Sequence, residues 1–132
     1  MIFHRRITPS VVAGALLLAL PASAQSTGVQ IITPPPGSVQ PSGSWSVGAR
    51  AGDFVFVGGM RGVDPATGKL VEGEEARIRQ MFKNMMAVAN AEGASLKDAV
   101  RLTIFVTDVV RHRPLVNKVQ SELWGDGPYP PR

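Results

Sequence analysis

The chain has 132 residues, of which 44% are hydrophobic, and its formal net charge is +4. This length fits one domain at most, and the absence of cysteine excludes disulfides, thiolate metal sites and a cysteine nucleophile. Without Arg5 and Arg6, 12 basic residues face 10 acidic ones, and the two signs are interleaved along the chain. We therefore expect no binding of nucleic acid, which requires a basic surface.

Residues 1–24 have the organisation of a signal peptide. A basic start at His4–Arg6 precedes an apolar stretch over residues 11–20, and Pro21-Ala22-Ser23-Ala24 then offers a helix break and small residues for cleavage. The apolar stretch is short for a hydrocarbon layer of about 30 Å, which favours cleavage over a membrane anchor. We expect removal of residues 1–24, a periplasmic or secreted protein, and no membrane association after cleavage.

Residues 25–43 form an N-terminal segment rich in Pro, Gly and Ser. Within it the prolines at 34–36 hold the backbone extended, and the short apolar run at 29–32 predicts an edge strand before them. The globular domain is expected over residues 44–132, beginning with a second candidate strand at 44–49.

A firmer strand prediction covers residues 53–59. Phe54-Val55-Phe56-Val57 is apolar at every position, as in a strand that is covered on both faces. Asp64-Pro65-Ala66-Thr67-Gly68 follows as a turn, because proline fixes one φ and glycine accepts a positive φ. Residues 69–71 are expected to continue the chain beyond that turn.

Residues 74–92 carry the clearest helix pattern, with acidic Glu74 and Glu75 in the first turn and Gly93 as a C-cap. Apolar residues recur at intervals of three and four, which places them on one face. They are Ile78, Met81, Phe82, Met85 and Ala89. The cluster of methionines indicates core packing against a sheet rather than a ligand groove.

The remaining pattern predicts a turn at 95–98, a strand at 99–107, a helix over Pro114–Trp124 and a loop to the end. Strands followed by a helix, a strand and a helix give an α+β layer, a short sheet with two helices on one face. A sheet of this kind should receive another strand after the final loop, so we expect the domain to be C-terminally incomplete.

Three stretches together resemble the RidA (YjgF-type) imine deaminase family. They are Gly52–Gly59 with the turn at 64–68, Ala91–Val100, and Leu102–Asp108 with Val116-Asn117. The similarity extends from about residue 32 to residue 132. It implies a chorismate-mutase-like α+β fold, a mixed sheet with two helices packed on one face, from which the last strand or strands are missing here.

The resemblance implies hydrolytic deamination of reactive enamines and imines, such as 2-aminoacrylate, to keto acids and ammonia. The substrates are small and carboxylated, and no metal or organic cofactor takes part. It also implies a homotrimer with active sites between subunits. The alternative is a non-catalytic trimeric protein that binds a small ligand or a partner on the same scaffold. Departures from the family at Gly58 and Met60, and the missing C-terminal part, favour that alternative.

The resemblance also assigns the site residues one by one. Arg132, in Pro130-Pro131-Arg132, matches the family's arginine and is the expected catalytic residue, since a guanidinium binds a carboxylate through two hydrogen bonds. Asn117 matches an asparagine early in the second helix, although capping of backbone would suit it equally. Trp45 stands where members have tyrosine, and Gly58-Gly59-Met60 corresponds to their Ser-Gly-Gln motif. The five positions other than Arg132 are expected to bind substrate: Trp45, Gly58, Gly59, Met60 and Asn117.

Other polar residues have plainer explanations. His112, in the expected loop between strand and helix, is interpreted as solvated, and Asp108 as ending its strand by a turn hydrogen bond. Asp53 and Asp64 lie at turns and lack the spacing of metal ligands. We therefore expect no metal site.

Overall fold

The computed structural model describes residues 1–4 and 28–132. They form a five-stranded sheet of order β2-β3-β4-β1-β5, two α-helices and a short 3₁₀ turn at Leu96–Asp98. The strands are β1 (Ile2–His4), β2 (Val29–Ile31), β3 (Gly48–Ala51), β4 (Phe54–Val57) and β5 (Ala99–Arg101), and the helices are α1 (Glu74–Ala91) and α2 (Val109–Trp124).

Strands β2, β3 and β4 form an antiparallel meander, and β2 lies at the edge of the sheet as predicted. Gly52 and Asp53 make a two-residue turn between β3 and β4, with Gly52 at φ 57°. The second strand was predicted at 44–49 but lies at 48–51, because this turn fixes Ala51 opposite Phe54. Every pairing among the described strands is antiparallel, whereas the resemblance implied a mixed sheet.

Strand β1 lies between β4 and β5 and runs antiparallel to both. Ile2 pairs with Phe56 on one side and with Arg101 on the other. The side chain of Phe3 is fully buried in the core, and the Met1 carbonyl accepts a 2.8 Å hydrogen bond from the Val57 N–H. The Met1 ammonium group donates to the Val57 carbonyl at 3.3 Å, and its burial lowers its pKa.

Strand β1 belongs to the segment predicted as a signal peptide. Residues 5–24 of that segment lie outside the described residues, so cleavage after residue 24 stays a prediction.

The core lies between one face of the sheet and the two helices. The prediction for α1 is confirmed to within one residue, with Gly73 (φ 82°) before the helix and Gly93 (φ 77°) after it. Phe82 of α1 and Trp124 of α2 meet edge to face, with ring centroids 5.7 Å apart. The fully or almost fully buried apolar side chains include Phe3, Val47, Val55, Phe82, Val88, Leu102 and Val119.

The opposite face of β4 is open among the described residues. Phe54 and Phe56 are each 42% exposed, whereas Val55 and Val57 point into the core. Both helices pack on the other side of the sheet, so within the described residues neither helix provides the predicted cover for this face. The two phenylalanine rings lie beside each other, with centroids 6.4 Å apart.

Two boundaries in the second half differ from the prediction. The strand expected over 99–107 ends at Arg101, where its pairing with β1 stops, and the Leu102 N–H donates instead to the Pro131 carbonyl at 3.0 Å. Helix α2 begins at Val109 rather than at Pro114, because the Asp108 carboxylate accepts the Arg111 N–H at 3.0 Å as an N-cap. No helix in the described part of the chain is long and apolar enough to cross a membrane.

Candidate functional site

Arg132 and Asn117, both predicted site residues, lie side by side. The Arg132 Nη2 donates to the Asn117 Oδ1 at 2.9 Å. Helix α2 carries the asparagine, and the C-terminal segment carries the arginine. That segment is held by the Leu102–Pro131 backbone hydrogen bond and by the Tyr129 hydroxyl, which donates to the Gly125 carbonyl at 2.6 Å. The asparagine side chain therefore fixes the orientation of the guanidinium.

Two cavities meet at Arg132. One, of about 350 Å³, is formed by α2 and the C-terminal segment and includes Asn117, Gln120 and Tyr129. The other, of about 300 Å³, lies between β5, its continuation and α2. Since Arg132 is exposed, its guanidinium is accessible from both.

Trp45, Gly59 and Met60 line a third cavity of about 490 Å³. Trp45 is 39% exposed, whereas Met60 is buried and belongs to the core cluster. Gln40 and Arg61 complete part of its wall. The structure thus brings these three predicted site residues together, with an apolar wall made by the indole and the thioether.

Gly58 makes a close contact between backbone segments. Its N–H donates to the Val47 carbonyl at 2.8 Å, and a Cβ at this position would lie 2.7 Å from the Ser46 carbonyl oxygen. A side chain here would therefore push away the segment that carries Trp45. Gly58 supports the third cavity from behind, while direct contact between Gly58 and substrate stays a prediction.

The two groups of site residues remain apart in the single chain. The cavity of Arg132 and Asn117 shares no lining residue with the cavity of Trp45, Gly59 and Met60. A substrate bound in one of these cavities therefore contacts only one of the two groups of predicted site residues.

Sequence reasoning missed Asn84, which shapes the third cavity. Its side chain on α1 is buried, and its Nδ2 donates to the carbonyls of Arg61 at 2.9 Å and Val63 at 2.8 Å. Gln80 donates to its Oδ1 at 2.8 Å. The segment after Met60 is thereby attached to the helix. An asparagine directly beside the apolar stripe, next to Met85, was the available signal.

His112 and Asp108 are structural rather than catalytic in their contacts. His112 lies in α2, not in a loop, and its Nδ1 is 2.9 Å from the Asp108 carbonyl oxygen. Its Nε2 is 3.5 Å from the Glu74 carboxylate, which also binds Arg111 at 2.6 Å. These contacts connect the start of α1 to the start of α2.

Glu75 extends the same connection between the helices. It binds Lys118 of α2 at 2.8 Å and Arg79 of its own helix at 2.7 Å. The hydrogen bond from Lys118, followed by that from Arg79, holds the pKa of Glu75 below its ordinary value. Within the described residues, no group of three or more His, Asp or Glu side chains could hold a metal ion.

Comparison with known proteins identifies the family of the chain. The family described as endoribonuclease L-PSP matches residues 37–132. The chain is 34% identical over 98 residues to the 2-iminobutanoate/2-iminopropanoate deaminase of Dermatophagoides farinae, a match that covers 74% of this chain and 75% of that protein.

Two solved structures share the fold. A probable translation initiation inhibitor from Rhodopseudomonas palustris is 65% identical, with a TM-score of 0.77 over 80% of this chain and 81% of that one. RidA from an Antarctic Psychrobacter is 32% identical, with a TM-score of 0.70 over 78% and 80% of the two chains. The predicted chorismate-mutase-like α+β fold is confirmed. The chain belongs to the endoribonuclease L-PSP family, which is the family of the RidA proteins.

Proposed function

We propose that this protein hydrolyses small carboxylated imines and enamines of the 2-aminoacrylate type to keto acids and ammonia. A relative that is named an imine deaminase, at 34% identity, supports imine deamination at the level of the family. The observation that carries the proposal is the contact between Arg132 and Asn117. It presents an oriented guanidinium beside a cavity large enough for a small acid.

The guanidinium would hold the substrate carboxylate. One N–H of Arg132 Nη2 is directed to Asn117, which leaves the other N–H groups of the fork for two parallel hydrogen bonds to carboxylate oxygens. Because arginine stays charged at any ordinary pH, binding does not depend on its protonation. The bound carboxylate places the adjacent C=N carbon at a defined position.

The reaction then needs only water. The water oxygen bonds to the imine carbon, the imine nitrogen takes up a proton, and a carbinolamine forms. Its C–N bond breaks, ammonia leaves with a further proton, and the carbonyl of the keto acid remains. Fixing a reactive imine next to water is catalysis by proximity, so no nucleophilic side chain is required.

We also propose a homotrimer in which the Trp45 cavity of one subunit faces the Arg132 of its neighbour. Two observations support it. The two groups of predicted site residues line separate cavities of one chain, so a site that includes both groups would need a second subunit. Phe54 and Phe56, each 42% exposed among the described residues, present apolar surface on the sheet face opposite the helices, and surface of this kind is typical of interfaces.

The test is release of ammonia from 2-aminoacrylate generated in the assay. Arg132→Ala should lower kcat/KM roughly a hundredfold or more, since losing a bidentate charged pair costs about 2–4 kcal/mol. Arg132→Lys should recover little, because a point charge does not reproduce the fork.

Arg111→Ala is the matched control, since Arg111 binds Glu74 and lies outside these cavities. Equal activity of all variants would disprove the role of Arg132. Carboxylate binding without turnover by the unmodified protein would instead indicate the non-catalytic scaffold.

A further inference from the structure

Three arginines from three parts of the fold line one cavity. Arg101 ends β5, Arg113 lies in α2 and Arg132 belongs to the C-terminal segment. The cavity has a volume of about 300 Å³, and Thr103 is its other polar residue. The rest of the lining is aliphatic: Ile104, Val106, Val109 and Val116. We call it the arginine cavity.

The charge of this cavity is unbalanced. Across the described residues, Arg50, Arg79 and Arg111 each form an ion pair with a glutamate. By contrast, none of the three arginines of the cavity contacts a carboxylate in the described part of the chain, and Asn117 is the polar partner of Arg132. No acidic residue lines the cavity either. Like charges around a concave surface raise the local potential and attract anions.

One carboxylate needs only one guanidinium fork. If Arg132 holds the carboxylate next to the imine, as the proposed function requires, Arg101 and Arg113 remain available for a second anionic group. The aliphatic wall between them suits the methylene groups of a short carbon chain. A monocarboxylate would leave two of the three charges without a counterion.

We propose that the arginine cavity selects substrates with a second carboxylate, so that the preferred class is 2-imino dicarboxylates rather than simple 2-imino acids. This inference rests on the proposed function, which supplies the position of the first carboxylate. Arg101 and Arg113 are then specificity residues, and neither is needed for the chemical step itself.

Binding of stable acids tests the inference without turnover. Calorimetry on the full chain should show succinate binding roughly five- to tenfold more tightly than butyrate, a modest factor because the guanidiniums are exposed to water. Arg113→Met should remove this difference by weakening succinate and leaving butyrate unchanged. Arg111→Met, two residues away and paired with Glu74, is the matched control and should preserve it.

Equal affinity for succinate and butyrate in the unmodified chain would overturn the proposal. So would an equal loss of both ligands in Arg113→Met, or inorganic phosphate binding as tightly as succinate, since that would indicate a general anion site. In turnover, the kcat/KM ratio of a dicarboxylate imine to a monocarboxylate imine should fall in Arg113→Met, while the monocarboxylate value stays constant. Failure of the proposed deamination would appear separately, as no turnover of either imine with succinate binding intact.

Discussion

Asn84 shows how one buried polar side chain can position a cavity wall. Its carboxamide satisfies the carbonyls of Arg61 and Val63, and Gln80 satisfies its oxygen. Gly62 lies between those carbonyls, and a Cβ there would come within 2.2 Å of the Arg77 carbonyl oxygen. The segment that follows Met60 is therefore pressed against α1 and tied to it at both sides of the glycine.

Asn84→Ala should lower the free energy of unfolding by about 2–4 kcal/mol, because it leaves buried carbonyl groups without a donor. Urea denaturation followed by circular dichroism measures this change. Asn90→Ala serves as the control on the same helix, since Asn90 is exposed, and it should change stability little. A loss in Asn84→Ala no larger than in the control would show that water replaces the carboxamide.

Sequence similarity identified the residues of the candidate site better than it identified their supports. Arg132 and Asn117 were named from motif positions, and the structure places them in contact. Asn84 was missed because its partners are backbone carbonyls about twenty residues earlier, which leave no trace in side-chain pattern. The close backbone contact of Gly58 was missed for the same reason, since its neighbour is the Ser46 carbonyl.

At the scale of elements, ion pairs connect the first turns of α1 to helix α2, and we call this group of pairs the charged junction. Glu75 of α1 reaches Lys118 of α2, Arg79 reaches Glu122, and Glu74 contacts Arg111. Such exposed pairs add little stability singly, but together they connect α1 to α2, the helix that carries Asn117. Their strength depends on the charge of the glutamates.

The lowered pKa of Glu75 gives this junction a pH dependence. A carboxyl whose pKa is depressed in the folded state stabilises the fold above its ordinary value of 4.5, and this contribution is lost as pH falls through the folded-state pKa. Thermal melting of Glu75→Gln should therefore change less than that of the unmodified chain as pH falls below 4.5. Glu72→Gln, at an exposed position, should follow the unmodified chain. If the melting temperatures of all three proteins changed in parallel with pH, the assignment of this pH dependence to Glu75 would be wrong.

Periodicity predicted the elements but not all their limits. Helix α1 was predicted well because its apolar stripe faces the core throughout. The start of α2 was set too late, since Pro114 was read as the first turn although Asp108 carries the cap. The strand that begins at Ala99 was predicted too long. Apolar alternation continues to Val106, whereas pairing with β1 stops at Arg101. Strand length depends on the neighbouring strand, which local sequence does not contain.

At the scale of the whole molecule, the sheet depends on β1. Strands β4 and β5 do not pair with each other, and β1 provides the contact between them. The signal-peptide pattern gave no indication of this role, since a basic start and an apolar run describe a leader irrespective of the fold that follows. Pairing across more than fifty residues is a property of the tertiary structure.

Phe3→Ala in the full chain should cost about 3–5 kcal/mol in the free energy of unfolding, as expected for truncating a fully buried phenylalanine. Ile2→Ala is the matched control, because Ile2 lies in the same strand with its side chain only partly buried. It should cost clearly less in the same urea titration. Similar small losses in both variants would mean that β1 does not hold its place in the sheet.

If residues 1–24 direct export, as the sequence predicts, the position of β1 makes folding and export compete in time. Its residues are the start of the predicted leader and also the strand that joins β5 to the sheet. In a chain that folds first, Ile2–His4 are paired within the sheet and are not accessible to an export machinery that must bind the leader. A chain that is exported first and then cleaved after residue 24 loses Met1–His4, and the place between β4 and β5 falls vacant. The rate of folding relative to export would thus decide in which compartment this sheet contains its first strand.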